Sequence, residues 1–202
     1  MEIKAIIWDL GGVLIDWNPA YVFDKLFDDE EKKRYFFENI CTNDWNENQD
    51  AGYPIQHATE ELVAKYPEWK EYIEAYYGRW TEMLGGPIHG TVEIFRQITE
   101  SKKYKQYALT NWSGELFPIA LERYEFLHWF DGRVVSGDEK MRKPFPEFYQ
   151  LILNRYSLQP ETTLFIDDNL RNIKAAEELG IVCIHFKYAE QLYSQLKDMN
   201  IL

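Results

Sequence analysis

Cysteine is nearly absent from this 202-residue chain, which carries only Cys41 and Cys183. The two stand far apart and fit no metal-ligand or redox spacing, so a reducing compartment, the cytoplasm, is the expected location. Cations are scarce too: 22 Lys and Arg face 34 Asp and Glu, for a net charge of −12. A nucleic-acid surface needs clustered Lys and Arg, so no nucleic-acid partner is expected. A small anionic substrate is not excluded, because a few local cations dominate a pocket. No apolar run reaches membrane-spanning length, and "MEIKAIIWDL" turns acidic too early for a signal peptide, so no membrane partner is expected. Internal repeats and low-complexity segments are also missing.

Apolar residues are plentiful. They make up 46% of the chain, with 16% aromatic, enough to bury the core of one domain, or of one domain with an insertion. Five short β-rich runs stand out: "IKAIIWD", "QYALTN", "RVVSG", "TLFIDD" and "IVCIHF". Helical patterns separate the later ones. "ELFPIALERYEFL" has Ser113 as a cap before it and Pro118 in its first turn. "FPEFYQLILNRYSL" carries Pro146 early and a stripe of Phe148, Leu151, Ile152 and Tyr156, and "NLRNIKAAEELG" ends on Gly180. This alternation predicts an α/β fold: a Rossmann-like three-layer core around a mostly parallel sheet.

Residues 17–86 break the rhythm. They are rich in aromatic and acidic residues, read as several helices with no convincing strand, and end at "LGGP", a hinge-like stretch from Leu84 to Pro87. The expected division is a core of residues 1–16 and 87–202 with a helical insertion of residues 17–86. The insertion would meet the core over the carboxyl ends of the strands, where open α/β sheets bind ligands.

Four stretches put polar residues after an apolar run: Asp9, Thr110-Asn111, Lys143 (after "VVSGDEKMR") and Asp167-Asp168. Singly, each has a plain structural reading. Asp9 serves a glycine turn, Thr110 and Asn111 serve turn and cap chemistry, and Lys143 before Pro144 is a solvated loop residue. The adjacent acids Asp167 and Asp168 are harder to explain, since paired carboxylates repel and call for a cation. In a parallel sheet all four ends converge on one crevice.

In this order, the four stretches resemble the four motifs of the haloacid dehalogenase-like hydrolase superfamily, over essentially the whole chain, and the insertion stands where that family carries a helical cap. The resemblance implies Asp9 as a nucleophile forming a covalent aspartyl intermediate. It also implies Thr110 and Asn111 binding the substrate's anionic group, and Lys143 holding both the nucleophile and that anion. Asp168, supported by Asp167, would bind Mg²⁺ together with Asp9 and the backbone carbonyl of Gly11. The chemistry asks for the same residue types. A carboxylate attacking a phosphate is repelled by about 4 kcal/mol at 4 Å and a dielectric near 20, which a divalent cation and a lysine remove.

One position departs from the pattern. Phosphatases of the superfamily carry a second acid two residues after the nucleophile, and here that residue is Gly11. A haloacid dehalogenase needs no such acid, because a halide leaves without a proton. That branch, however, works without metal, carries Thr where this chain has Val13, and uses a cap arginine for which Arg34 and Arg79 match no motif. The other reading is an Mg²⁺-dependent phosphatase, since "DLGGV" is similar to the "DLGNV" motif of bacterial sugar-phosphate phosphatases. A sugar 1-phosphate has a better leaving group than an ordinary alcohol, and a water or cap residue would supply the proton. A catalytically inactive ligand-binding module is the third reading; the joint presence of Asp9, Lys143 and Asp168 argues against it. The paired acids favour the phosphatase.

For substrate selection, "TNDWNENQDAG" (residues 42–52) offers Trp45, Asn46, Gln49 and Asp50 for stacking and hydrogen bonding. Its plain alternative is an interhelical loop with a buried Trp. Trp17, Asn18 and Trp112 are expected at the seam between insertion and core. His57, His89, His128 and His185 match no ligand spacing, and "FDDEEKK" reads as a solvated helix start. The expected partner is a small anionic substrate, and the expected assembly a monomer or homodimer.

Overall fold

A computed structural model describes residues 2–202. Its strands are β1 (Ala5–Trp8), β2 (Ile15–Trp17), β3 (Leu84–Pro87), β4 (Lys105–Thr110), β5 (Gly132–Val135), β6 (Thr163–Asp167) and β7 (Val182–His185). Five of these, the five apolar runs, form one parallel sheet in the order β5-β4-β1-β6-β7. β1 is therefore central, and the residues that follow β1, β4 and β6 lie side by side at one edge of the sheet.

Helices α1 (Ala20–Phe23), α2 (Glu30–Tyr35), α3 (Asn43–Asp50), α4 (Ile55–Lys65) and α5 (Lys70–Gly78) all lie between β2 and β3. The rest are α6 (His89–Ser101), α7 (Phe117–Arg123), α8 (Ser136–Glu139), α9 (Pro146–Arg155), α10 (Leu170–Glu178) and α11 (Ala189–Asp198). Strand side chains alternate between two faces. Ile6, Trp8, Leu164 and Ile166 pack with Phe95 and Ile98 of α6 and Leu192 and Leu196 of α11. Ala5, Ile7, Leu109 and Phe165 pack with Phe148 and Ile152 of α9 and Ile173 and Ala176 of α10. The result is a Rossmann-like three-layer core with an inserted helical cap. Each large side chain so buried contributes about 1.5–3 kcal/mol. No helix among the described residues is long and apolar enough to cross a membrane.

The cap's aromatics form its own core. Phe27 stacks on Tyr72 at 4.3 Å, and Phe23 meets Phe36 and Phe37 at 5.1 Å. Asp29 caps α2 by accepting from the backbone N–H of Glu31 and Lys32, so "FDDEEKK" is a helix start.

Four local differences separate the structure from the sequence reading. Leu84–Pro87 is a strand, paired antiparallel with Ile15–Trp17, so the chain enters and leaves the cap through a two-stranded ribbon. Two glycines and a proline in four residues carry no strand periodicity, which hides it. Within the stretch read as several helices, residues 20–40 are not continuous but form α1, α2 and a π-helical turn, Phe36–Ile40. Residues 43–50 are helical rather than a loop, with the Thr42 hydroxyl accepting from the Trp45 N–H at 3.2 Å. Ser113 accepts from the Glu115 N–H in a turn ahead of α7 and does not cap the helix itself.

Candidate active site

β1 delivers Asp9 to the end of the sheet, where its N–H is held by the Ile166 carbonyl at 2.9 Å. Next to it, β6 ends on Asp167. Lys143, fully buried, places Nζ 2.9 Å from Asp9 Oδ1 and 2.7 Å from Asp167 Oδ2. Burial alone would lower the Lys143 ammonium, but the carboxylates of Asp167 and Asp9 reverse that and hold it above its usual value. Asp167 is anchored further by the Asn169 N–H at 2.7 Å and by the Asn172 side-chain amide, which reaches both of its oxygens at 3.0 and 3.1 Å.

Asp168 turns the other way, over Gly12. That glycine has φ of +73°, which favours glycine, and a Cβ there would lie 2.3 Å from Asp168 Oδ2 and push that carboxylate aside. Asp9, Asp167 and Asp168 each bring one carboxylate oxygen within 4.8 Å of the others. Burial, together with Asp167 and Asp168, pushes Asp9 up to about 8 against the pull of Lys143, and burial and Asp167 raise Asp168 too. Three carboxylates thus share one ammonium, an excess of negative charge that an oxygen-seeking divalent cation would balance. The donor set fits Mg²⁺, with Asp9, Asp167 and Asp168 as the residues that would hold it.

The end of β4 contributes two residues in different ways. The buried Thr110 hydroxyl has no hydrogen-bond partner, so a donor is free at the crevice. Asn111 donates to the Lys143 carbonyl at 3.0 Å and accepts from the Lys143 N–H at 2.8 Å. Its amide clamps the lysine's backbone, although the residue also borders the pocket.

That pocket, about 90 Å³, lies between core and cap and is walled by Gly11, Asn111, Trp112 and Ser113 from the core and by Asn46, Asp50, Tyr77 and Trp80 from the cap, with Trp17 in the ribbon. The expectation for Trp17 and Trp112 at the seam agrees with this. Asn18 instead accepts from the Ala20 N–H at the start of α1. Of the four residues singled out on α3, Asn46 and Asp50 face the pocket. Trp45 and Gln49 face a separate groove with Tyr53 and Glu61, and Trp45 packs on Tyr76 and Tyr77. Positions four apart share a helix face, so the eight-residue helix splits them into two pairs.

Sequence reasoning missed the cap–core latch. Glu47 pairs with Arg142 at 2.6 Å and also with Arg171, while Ser136 Oγ donates to the Asp50 carbonyl and accepts from the Trp112 N–H at 2.8 Å. Arg142 stands beside Lys143, which was its only sequence signal. Asn172 was hidden inside "NLRNIKAAEELG", read only as a helical pattern ending on Gly180.

A central-strand acid at the end of a parallel sheet, a buried lysine against it and a helical cap above define a hydrolase with a Rossmann-like core. The chain belongs to the haloacid dehalogenase-like hydrolases, whose family model matches residues 3–180. It is 28% identical to the sesquiterpene phosphatase astK of Aspergillus oryzae, over 90% of this chain and 89% of that one. It is 24% identical to a phosphorylated carbohydrates phosphatase of Thermotoga maritima, over 98% and 88%. A family enzyme of Bacteroides thetaiotaomicron, solved with magnesium and inorganic phosphate, superimposes with a TM-score of 0.69 at 25% identity, over 92% of this chain and 95% of that one.

Proposed function

We propose that this hydrolase is an Mg²⁺-dependent phosphatase of small phosphate monoesters, with sugar phosphates as the substrate class, acting through an aspartyl-phosphate on Asp9. The observation that carries the reading is the convergence of Asp9, Asp167 and Asp168 within 4.8 Å around a single buried lysine. A dehalogenase has no use for two further acids there. The side chains lining the pocket include no arginine to take a substrate carboxylate, and Arg34 is exposed while Arg79 is spent on Glu82.

In this reading the core comprises residues 1–16 and 87–202 and the cap residues 17–86, joined through the β2–β3 ribbon. Asp9, Asp167 and Asp168, with the Gly11 carbonyl, would hold Mg²⁺, which would supply positive charge against the phosphoryl oxygens. Asp9 attacks phosphorus through a carboxylate oxygen. Lys143 keeps that carboxylate aimed and offsets the charge gathering on the phosphoryl group, and the free Thr110 hydroxyl donates to a phosphoryl oxygen. Asn111 fixes the Lys143 backbone, and Asn46, with Trp17 and Trp112, bounds the leaving group. Water then attacks phosphorus, releasing phosphate and regenerating Asp9.

The test is a panel of sugar phosphates and 2-haloacids, each with Mg²⁺ and with EDTA. Phosphate release that needs Mg²⁺ is the expected result. Halide release that survives EDTA, with no phosphate release, would establish a dehalogenase, and silence on both classes would favour a binding module.

A further inference from the structure

Gly11 leaves a gap. A Cβ at this position would meet nothing within 4 Å, so the pocket is open where a second acid would stand. Asp50, on the cap, lines the same pocket. We propose that Asp50 is the proton donor and acceptor of the reaction, replacing the acid that Gly11 cannot provide.

The carboxyl is held for such a role from both sides of the seam. Asn46 Nδ2 donates to Asp50 Oδ2 at 3.1 Å, and Asn46 Oδ1 in turn accepts from the Tyr77 hydroxyl at 3.0 Å. On the core side, Ser113 lines the same pocket and lowers the proton affinity of the carboxyl, and the Asp50 carbonyl accepts from the Ser136 hydroxyl. Gly52 presses against the Gly137 carbonyl, where a Cβ would come within 2.7 Å, so the end of α3 is seated directly on the core. The charged and titratable groups around Asp50 include Glu47, Arg142, Tyr76 and Tyr77. Burial and the Glu47 carboxylate push Asp50 up to about 7, while the Ser113 N–H and Arg142 pull it down. A carboxyl poised there exchanges protons in both directions near neutral pH.

The inference rests on the phosphatase reading. As Asp9 bonds to phosphorus, the phosphorus–ester oxygen bond breaks and the Asp50 proton passes to that oxygen, releasing an alcohol. The Asp50 carboxylate then takes a proton from water as the water oxygen attacks phosphorus and the bond to Asp9 breaks.

Single-turnover kinetics with an alkyl phosphate and with p-nitrophenyl phosphate test this, because nitrophenolate leaves without a proton. Asp50→Asn is expected to slow phosphoryl transfer from the alkyl ester about 10²–10⁴-fold. From the aryl ester it should still give a stoichiometric nitrophenolate burst, followed by slow turnover. The burst also shows that the variant is folded. In the wild type, alkyl-ester cleavage should fall as pH rises through about 7, with no such fall for the aryl burst. Equal slowing of both first steps, an undiminished alkyl rate, or matching pH profiles would each overturn the proposal. If the wild type cleaves neither ester, the phosphatase reading itself fails and takes this role with it.

Discussion

Lys143 Nζ lies 2.9 Å from Asp9 Oδ1, a fully buried ammonium against the acid that ends the central strand. A buried ion pair adds little net stability, yet breaking one is costly because the remaining charge is stranded. Lys143→Met should destabilise the fold by about 3–5 kcal/mol at neutral pH and abolish turnover. The penalty should depend on pH. Asp9 already titrates above an unfolded carboxyl, at about 8, and losing the ammonium raises it further. Such a group favours the folded state at low pH and loses that contribution as pH rises. Urea denaturation should therefore show a larger penalty at pH 8 than at pH 5.

Asn111 acts on Lys143 through two hydrogen bonds to its backbone. Asn111→Ala should cost about 1–3 kcal/mol, the loss of two half-buried hydrogen bonds to the Lys143 backbone. It should lower kcat by displacing the lysine, while leaving Mg²⁺ binding intact. Calorimetric titration of the metal beside steady-state kinetics would separate the two effects.

Mg²⁺ should stabilise the protein by balancing the three acids. A ligand at a hundred times its Kd adds about 2.7 kcal/mol, and in a chain of this size each kcal/mol raises Tm by about 2–4 °C. Asp168→Asn should lose most of that shift. Without metal the variant should be no less stable than the wild type, because Asp168 is one of the charges that repel Asp9. Thermal melts with Mg²⁺ and with EDTA read both outcomes.

Asp50 also marks the stability curve. Its folded value of about 7 exceeds the ordinary 3.8, so folding takes up a proton between these limits. Its contribution is complete below pH 4 and is lost as pH climbs through 7. Asp50→Asn removes this titration. The stability of the variant relative to wild type should therefore improve by about 1–3 kcal/mol between pH 5 and pH 8, measured by denaturation at both values.

The core was legible in the sequence because its strands are short, continuous apolar runs that end abruptly on Asp9, Thr110 and Asp167. Both faces of such strands are covered, so burial leaves an unbroken signature. The ribbon was not legible, since the two glycines and the proline of Leu84–Pro87 leave no strand pattern to read. On α3 the residues were visible but their phase was not. Without knowing that residues 43–50 are helical, Trp45 and Gln49 could not be told from Asn46 and Asp50, which the helix turns into the pocket. The second role of Asn111 and the Glu47 latch depend on contacts between residues 32 and 95 or more positions apart, which no local pattern records.

The central claim is that Asp9 carries the phosphoryl group, and the most direct test is to look for it there. Turnover of a small phosphate monoester with Mg²⁺ would be quenched in acid and the peptide bearing Asp9 weighed by mass spectrometry. The account predicts a peptide heavier by one phosphoryl group in the wild type, and neither adduct nor turnover in Asp9→Asn. An unmodified peptide together with full activity in Asp9→Asn would contradict it.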